Sequence, residues 1–315
     1  MTEPSRADME AALAREPDNF AIVARLALVC LRGGDVAAAA PLFERIVARR
    51  ANDVGARVNL AGCLMRMGRA AEALPHIAHA AGLVPTDATI RFNHAHILRA
   101  VGQRIEARDE VEEALRIDPR LPAALSLRAD LAAAEGDDIT ALGDLDTALT
   151  LKPNDAALRA RRAAIRLRRG DWLNGLAEYE ARLEIASAKP YAPSLPRWQG
   201  EQPAAGQYVL LYAEQADGAS GAAIDDLRIV ARHARALADL GVMVALQAPG
   251  SVHAELLTLS PAMALIERGP LTNDLAAAVP ARSLPFALSL RDDAFTPSVE
   301  ALISAIARDL FTGRD

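Results

Sequence analysis

A period of 34 residues constrains this chain more than any other feature. Residues 54–87, 88–121 and 122–155 align on one another without a gap. Gly68, Gly102 and Gly136 share position fifteen, and Pro85, Pro119 and Pro153 share position thirty-two. Alanine recurs at position eight (Ala61, Ala95, Ala129), at twenty (Ala73, Ala107, Ala141) and at twenty-seven (Ala80, Ala114, Ala148). Such a unit reads as two short helices. The alanines let the pair approach closely, the glycine suits a left-handed turn after the first helix, and the proline stops the second. One pair cannot bury its apolar face alone, so units stack into a superhelix with a concave groove.

These residues at this period resemble the tetratricopeptide repeat (TPR) family. The register extends both ways. Residues 20–53 place Leu26, Ala27, Gly34, Ala39 and Phe43 in position, with Ala51 where proline stands elsewhere. Residues 1–19 read as a leading second helix ending near Pro17, Asp18 and Asn19. Residues 156–189 keep Ala163 and Gly170 but carry Gly175 at position twenty and Arg182 at twenty-seven. A TPR domain of five helix pairs over 1–185 is therefore expected, its last pair atypical as capping repeats are.

The 315 residues suffice for two domains. Apolar residues make up 51% and aromatics only 4%, which suits closely packed, alanine-rich helices. A net charge of −6 argues against general nucleic-acid binding. The start does not read as a signal peptide, and no run of about 18 apolar residues reads as a membrane span. A cytoplasmic protein is the expectation. Cys30 and Cys63 have no metal or redox spacing and read as small buried hydrophobes.

Residues 186–206 change character: Pro190, Pro193, Pro196 and Pro203 lie among Ser, Gly and Gln, which reads as a linker, with Trp198 packing onto one of the domains. Beyond it the periodicity alternates. Strands are expected at 207–213, 242–248, 262–267 and 284–290, and helices at 223–240, 252–259 and 297–311. That order predicts a small α/β lobe over 207–315, a Rossmann-like half-domain with a parallel sheet covered on both faces.

A second resemblance covers 170–290. Trp172, Gly175, Glu178, Tyr179 and Glu180, then Pro196, Trp198, Gly200 and Glu201, then Glu214 and Gln215, match the pattern of bacterial proteins in which TPR repeats precede a two-lobed glycosyltransferase-like domain. The resemblance implies a ligand turn at Glu214 and Gln215, with Asp226 and Arg232 as its aspartate and arginine. Two departures weigh against activity. The family's short glycine turn is replaced by a longer one holding Gly218 and Gly221. The stretch after the fourth expected strand is too short for the nucleotide-sugar lobe, so the turn is expected to be vestigial and the lobe a pseudoenzyme.

Position six of the first helix faces the groove in TPR superhelices. It holds Arg25, Asn59, Asn93, Leu127 and Arg161, and the expected groove contacts are Arg25, Asn59, Asn93, His96, Asp130 and Arg161. Asn59 and Asn93 form a two-rung ladder whose amides suit the N–H and C=O of an extended peptide; the plainer reading is tolerated polar surface. The arginines at 159, 161, 162, 166, 168 and 169 read either as a site for an acidic partner or as a helix surface pairing with Glu178, Glu180 and Glu184, and the pairing is preferred. His76, His79, His94 and His96 do not converge as a metal site: His94 and His96 point about 200° apart on a helix. The expected function is a scaffold binding a protein or peptide in its groove, without enzymatic activity or cofactor. The alternative is a divergent glycosyltransferase completed by another chain.

Overall fold

The computed structural model describes residues 5–185, 194–213, 221–261, 263–266, 275–291 and 296–312. The chain falls into two compact units, Met1–Pro153 and Asn154–Asp315.

The first unit is helical. A leading helix α1 (Arg6–Arg15) precedes four pairs: α2 (Phe20–Arg32) with α3 (Val36–Arg49), α4 (Val54–Arg66) with α5 (Ala70–Leu83), α6 (Ala88–Ala100) with α7 (Arg104–Ile117), and α8 (Pro122–Ala134) with α9 (Asp138–Leu151). The turn within each pair is set by glycine. Gly34, Gly68, Gly102 and Gly136 have φ of 80°, 76°, 87° and 83°. At Gly102 and Gly136 an added Cβ would meet nothing, so backbone conformation, not space, selects glycine there. After two of these turns an aspartate caps the next helix. Asp35 accepts from the N–H of Ala38, and Asp137 from that of Thr140. Asp53 and Asp87 cap α4 and α6 the same way, each cap contributing about 1 kcal/mol. Leu121 offers no cap, and Pro122 opens α8 instead. The alanines at positions eight, twenty and twenty-seven are at most 1% exposed. That is why the period demands small residues there.

The second unit opens with a further pair, α10 (Ala156–Arg168) and α11 (Trp172–Tyr179), again turned by a glycine, Gly170, with φ 82°. Gly175 stands where the other units carry alanine because an added Cβ would lie 2.7 Å from the Leu167 side chain. A 3-10 turn, Glu180–Glu184, follows. Four parallel strands then form one sheet in the order β3-β2-β1-β4. They are β1 (Tyr208–Tyr212), β2 (Val244–Gln247), β3 (Met263–Ile266) and β4 (Leu275–Pro280). The remaining helices are α12 (Gly221–Asp239), α13 (His253–Leu259), α14 (Leu284–Ser289) and α15 (Pro297–Phe311).

Two expectations need correction. Residues 284–290 form helix α14, not a strand, because Pro285 sits in its first turn and favours helix initiation. The fourth strand is instead β4, whose alanine-rich sequence LAAAVP carries little β signal. The described helices also pack on one face of the sheet only. Val209, Leu211, Val244, Leu246, Ala277 and Val279 join α12, α14 and α15 in one core. The other face holds Leu210, Tyr212, Ala245, Leu275 and Ala278 with Leu195, and no described helix contributes to it.

Of the 186–206 stretch, the described part begins at 194, and from Pro196 to Trp198 it runs beside β4. Trp198 N–H donates to Ala278 O at 2.9 Å and Ala278 N–H to Pro196 O at 2.8 Å. Trp198 is 1% exposed within the second unit's core. Gly200, with φ 94°, allows the chain to pass Ala287, whose carbonyl oxygen would lie 2.6 Å from an added Cβ.

Candidate functional site

In the first unit, helices α2 to α6 border two cavities. Asn59 on α4 and Asn93 and His96 on α6 line one cavity of about 350 Å³, walled by Leu31, Met65 and Ile97. Asn59 also borders a neighbouring cavity of about 460 Å³ lined by Phe20, Leu28 and Phe43. Period and stacking thus bring three of the expected groove residues together. His96 stacks on Phe92 with ring centroids 6.0 Å apart. Arg50 lies over the Phe20 ring at 4.9 Å. Leu127, at position six of the next unit, is 3% exposed, so the asparagine ladder has no third rung.

The other expected groove residues are not in these cavities. Arg25 is exposed on α2. Asp130 lies 3.7 Å from Arg99. Arg161 is exposed on α10, in the second unit. The histidines have separate neighbours. His76 Nδ1 lies 3.4 Å from Arg57, His79 bonds Asn52 at 3.0 Å, and His94 Nδ1 sits 3.2 Å from Glu110. Burial pushes the Glu110 carboxyl up, but His94 and Arg91 outweigh it and hold it below its ordinary value. Cys30 and Cys63 are free thiols in the core, and burial raises both.

In the second unit the Glu178-Tyr179-Glu180 motif organises a polar network. Glu178 accepts from Arg162 and, at 2.8 Å, from Arg166; Glu184 accepts from Arg159 at 2.6 Å. These three arginines of the α10 run therefore pair within their own unit. Glu180 binds Arg182 at 2.8 Å, Ser283 at 3.1 Å and also Arg197. Tyr179 packs edge-on to Phe311 and accepts from Arg282 at 3.2 Å.

Arg282 is the residue that sequence reasoning missed. It follows β4 directly and donates through Nε to Asp226 Oδ2 at 2.7 Å, beside the first turns of α12. Burial opposes the charge on Arg282, yet Asp226 and Tyr179 more than compensate and hold its guanidinium above its ordinary value. The only available signal was a basic residue just past a strand end, and that strand was not legible. Of the expected ligand turn, Glu214 and Gln215 lie outside the described residues. Asp226 is 8% exposed and engaged by Arg282, whereas Arg232 is exposed on α12. The two therefore do not form one pair. The β1–β4 neighbourhood is where the strand order reverses, the usual ligand crevice of open parallel sheets.

Among the described residues, no group of acidic, histidine and cysteine side chains could hold a metal, and no helix is long and apolar enough to cross a membrane.

Comparison with known proteins bears on the helical part. The family model described as tetratricopeptide repeat matches residues 31–81. No curated protein matches the chain. Among solved structures, the crystal structure of the APC/C hetero-tetramer Cut9-Hcn1 is similar with a TM-score of 0.52 at 14% identity. The likeness covers 57% of this chain and 36% of that one. TTC0263, a thermophilic TPR protein of Thermus thermophilus, is 23% identical with a TM-score of 0.46, covering 53% of this chain and 92% of that one. MamA is 15% identical with a TM-score of 0.45, over 52% and 96%. The chain thus carries repeats of the tetratricopeptide type in a mostly helical fold, joined to a small four-stranded parallel sheet.

Proposed function

We propose that this chain is an interaction scaffold whose first repeats hold an extended peptide or protein segment, and that its α/β lobe is a non-catalytic, Rossmann-like half-domain. The observation that carries this reading is the shared cavity of Asn59, Asn93 and His96. Each asparagine amide offers a donor and an acceptor, so a row of them grips peptide backbone whatever its side chains. The apolar walls around them take those side chains. Arg25 and Asp130 remain proposed contacts for a longer segment, and Arg161, in the second unit, a proposed partner contact of its own. For the lobe, the support is electrostatic. The arginine delivered beside α12 is already bound by Asp226 and Tyr179, so a phosphate would have to displace a carboxylate. We place the end of the repeat sequence at residue 185, with its last pair packed into the second compact unit.

The test is a peptide-array screen with the whole chain, followed by titration of the best binder. Asn59→Ala with Asn93→Ala should weaken it at least tenfold, about 1.4 kcal/mol, while the melting temperature stays put. Unchanged affinity would remove the ladder. Calorimetry with nucleotide sugars should show no saturable heat; saturable heat lost in Arg232→Ala would restore the transferase alternative.

A further inference from the structure

We propose that the second unit carries a binding site for an organic cation, an ammonium group on an apolar body. The site is separate from the peptide groove and does not depend on it. A cavity of about 420 Å³ opens between α11, α14 and α15. Trp172 and Phe286 contribute aromatic walls, Leu176 and Ile303 an apolar floor, and Asp171 and Glu300 the charge. Among the described residues, no lysine, arginine or histidine lines it. The volume is that of an ordinary small-molecule pocket.

The lining selects its ligand by charge. Aromatic faces attract a cation within about 6 Å of the ring. Two carboxylates with no basic neighbour in the described lining add field of the same sense and disfavour an anion. The chain's net charge of −6 draws cations at longer range. A neutral apolar ligand would fill the floor but bring no countercharge to the two carboxylates. Asp171 already accepts from Asn174 N–H and Nδ2, so it is held in place as the α11 cap. Glu300, exposed at the rim on α15, has room to move onto a ligand.

Both tryptophans lie in this unit, and Trp198 is 1% exposed, so cavity occupation reads out through Trp172. The experiment titrates the whole chain with hexyltrimethylammonium, with hexanol and hexanoate as matched neutral and anionic probes. The cation should change tryptophan emission saturably, hexanoate should not, and hexanol should bind at least fivefold more weakly than the cation. Glu300→Gln should weaken the cation about fivefold and Glu300→Arg should abolish it, with both variants still melting cooperatively. Calorimetry with the same probes decides the matter if emission is silent. Nα-acetyl-lysine methylamide forms a further arm: binding tighter than hexyltrimethylammonium identifies a protein lysine as the source, weaker binding a small molecule. No saturable binding of either cation, equal binding of hexanoate, or full affinity in Glu300→Arg would overturn the proposal.

Discussion

The two units are held together by different kinds of contact. In the first, side-chain bonds between elements join near neighbours in sequence: Arg128 to Asp144, 16 residues on, Arg91 to Glu110, 19 on, and Arg6 to Asp35, 29 on. In the second, Arg282 reaches back 56 residues to Asp226 and 103 to Tyr179, and Ser283 reaches back 103 to Glu180. A solenoid sums nearest-neighbour interfaces. A parallel sheet with its crossover helices must close long loops before its contacts form. The same chain therefore combines a unit that can gain or lose stability locally with one that must assemble as a whole.

Spectroscopy can separate them, because both tryptophans and all four tyrosines lie in the second unit. The largest effect is expected from Trp198→Ala, which empties a fully buried site and should cost about 3–5 kcal/mol. In urea, tryptophan emission from Trp172 should then fall well before most of the far-ultraviolet helical signal. Simultaneous loss of both would mean the units unfold as one. Next, Arg282→Ala breaks the largely buried ion pair with Asp226 and should cost about 3 kcal/mol, again in the emission transition. Replacing both partners by leucine should recover most of it, and failure to recover would assign the effect to packing.

The converse break is Ala107→Leu, which forces a larger side chain into a fully buried site between α6 and α7. It should cost about 1–3 kcal/mol, seen in the helical signal with the emission midpoint unmoved. The smallest effect is a pH dependence in the first unit. Glu110 is held below its ordinary value of 4.5, so its stabilisation is present above that pH and is lost as pH falls through its lower folded value. Glu110→Gln should flatten that part of the acid limb of the helical melting profile.

Legibility follows the same division. Gly34, Gly68, Gly102, Gly136 and Gly170 stand at one position of the period and all adopt left-handed φ. The alanines that define the register are all buried. Asn59 and Asn93 share a cavity because stacking repeats carries equal positions to one face, and His96 joins them three residues beyond Asn93 on α6. In the lobe, three strands were legible as apolar runs. The alanine-rich β4 was not, since alanine carries no β preference to set against its helix preference, and LPFALSL passed for a strand because a short apolar run has no resolvable period. The arginine run of α10 left a choice of partners, and the structure pairs Arg159, Arg162 and Arg166 with Glu184 and Glu178.

By itself, then, the sequence determined the repeat, its turns, its small-residue seams and the shared face of its asparagines. Each of these is written within 34 residues and repeated, so local backbone preference and nearest-neighbour packing suffice to read it. Only the tertiary structure decided that Arg282 meets Asp226 and Tyr179, that Glu180 gathers Arg182, Arg197 and Ser283, and that Trp172, Phe286 and Glu300 border one cavity. Apart from Glu180 and Arg182, those groups lie from 14 to 128 residues apart, and no local preference specifies which of many possible loop closures will bring them together.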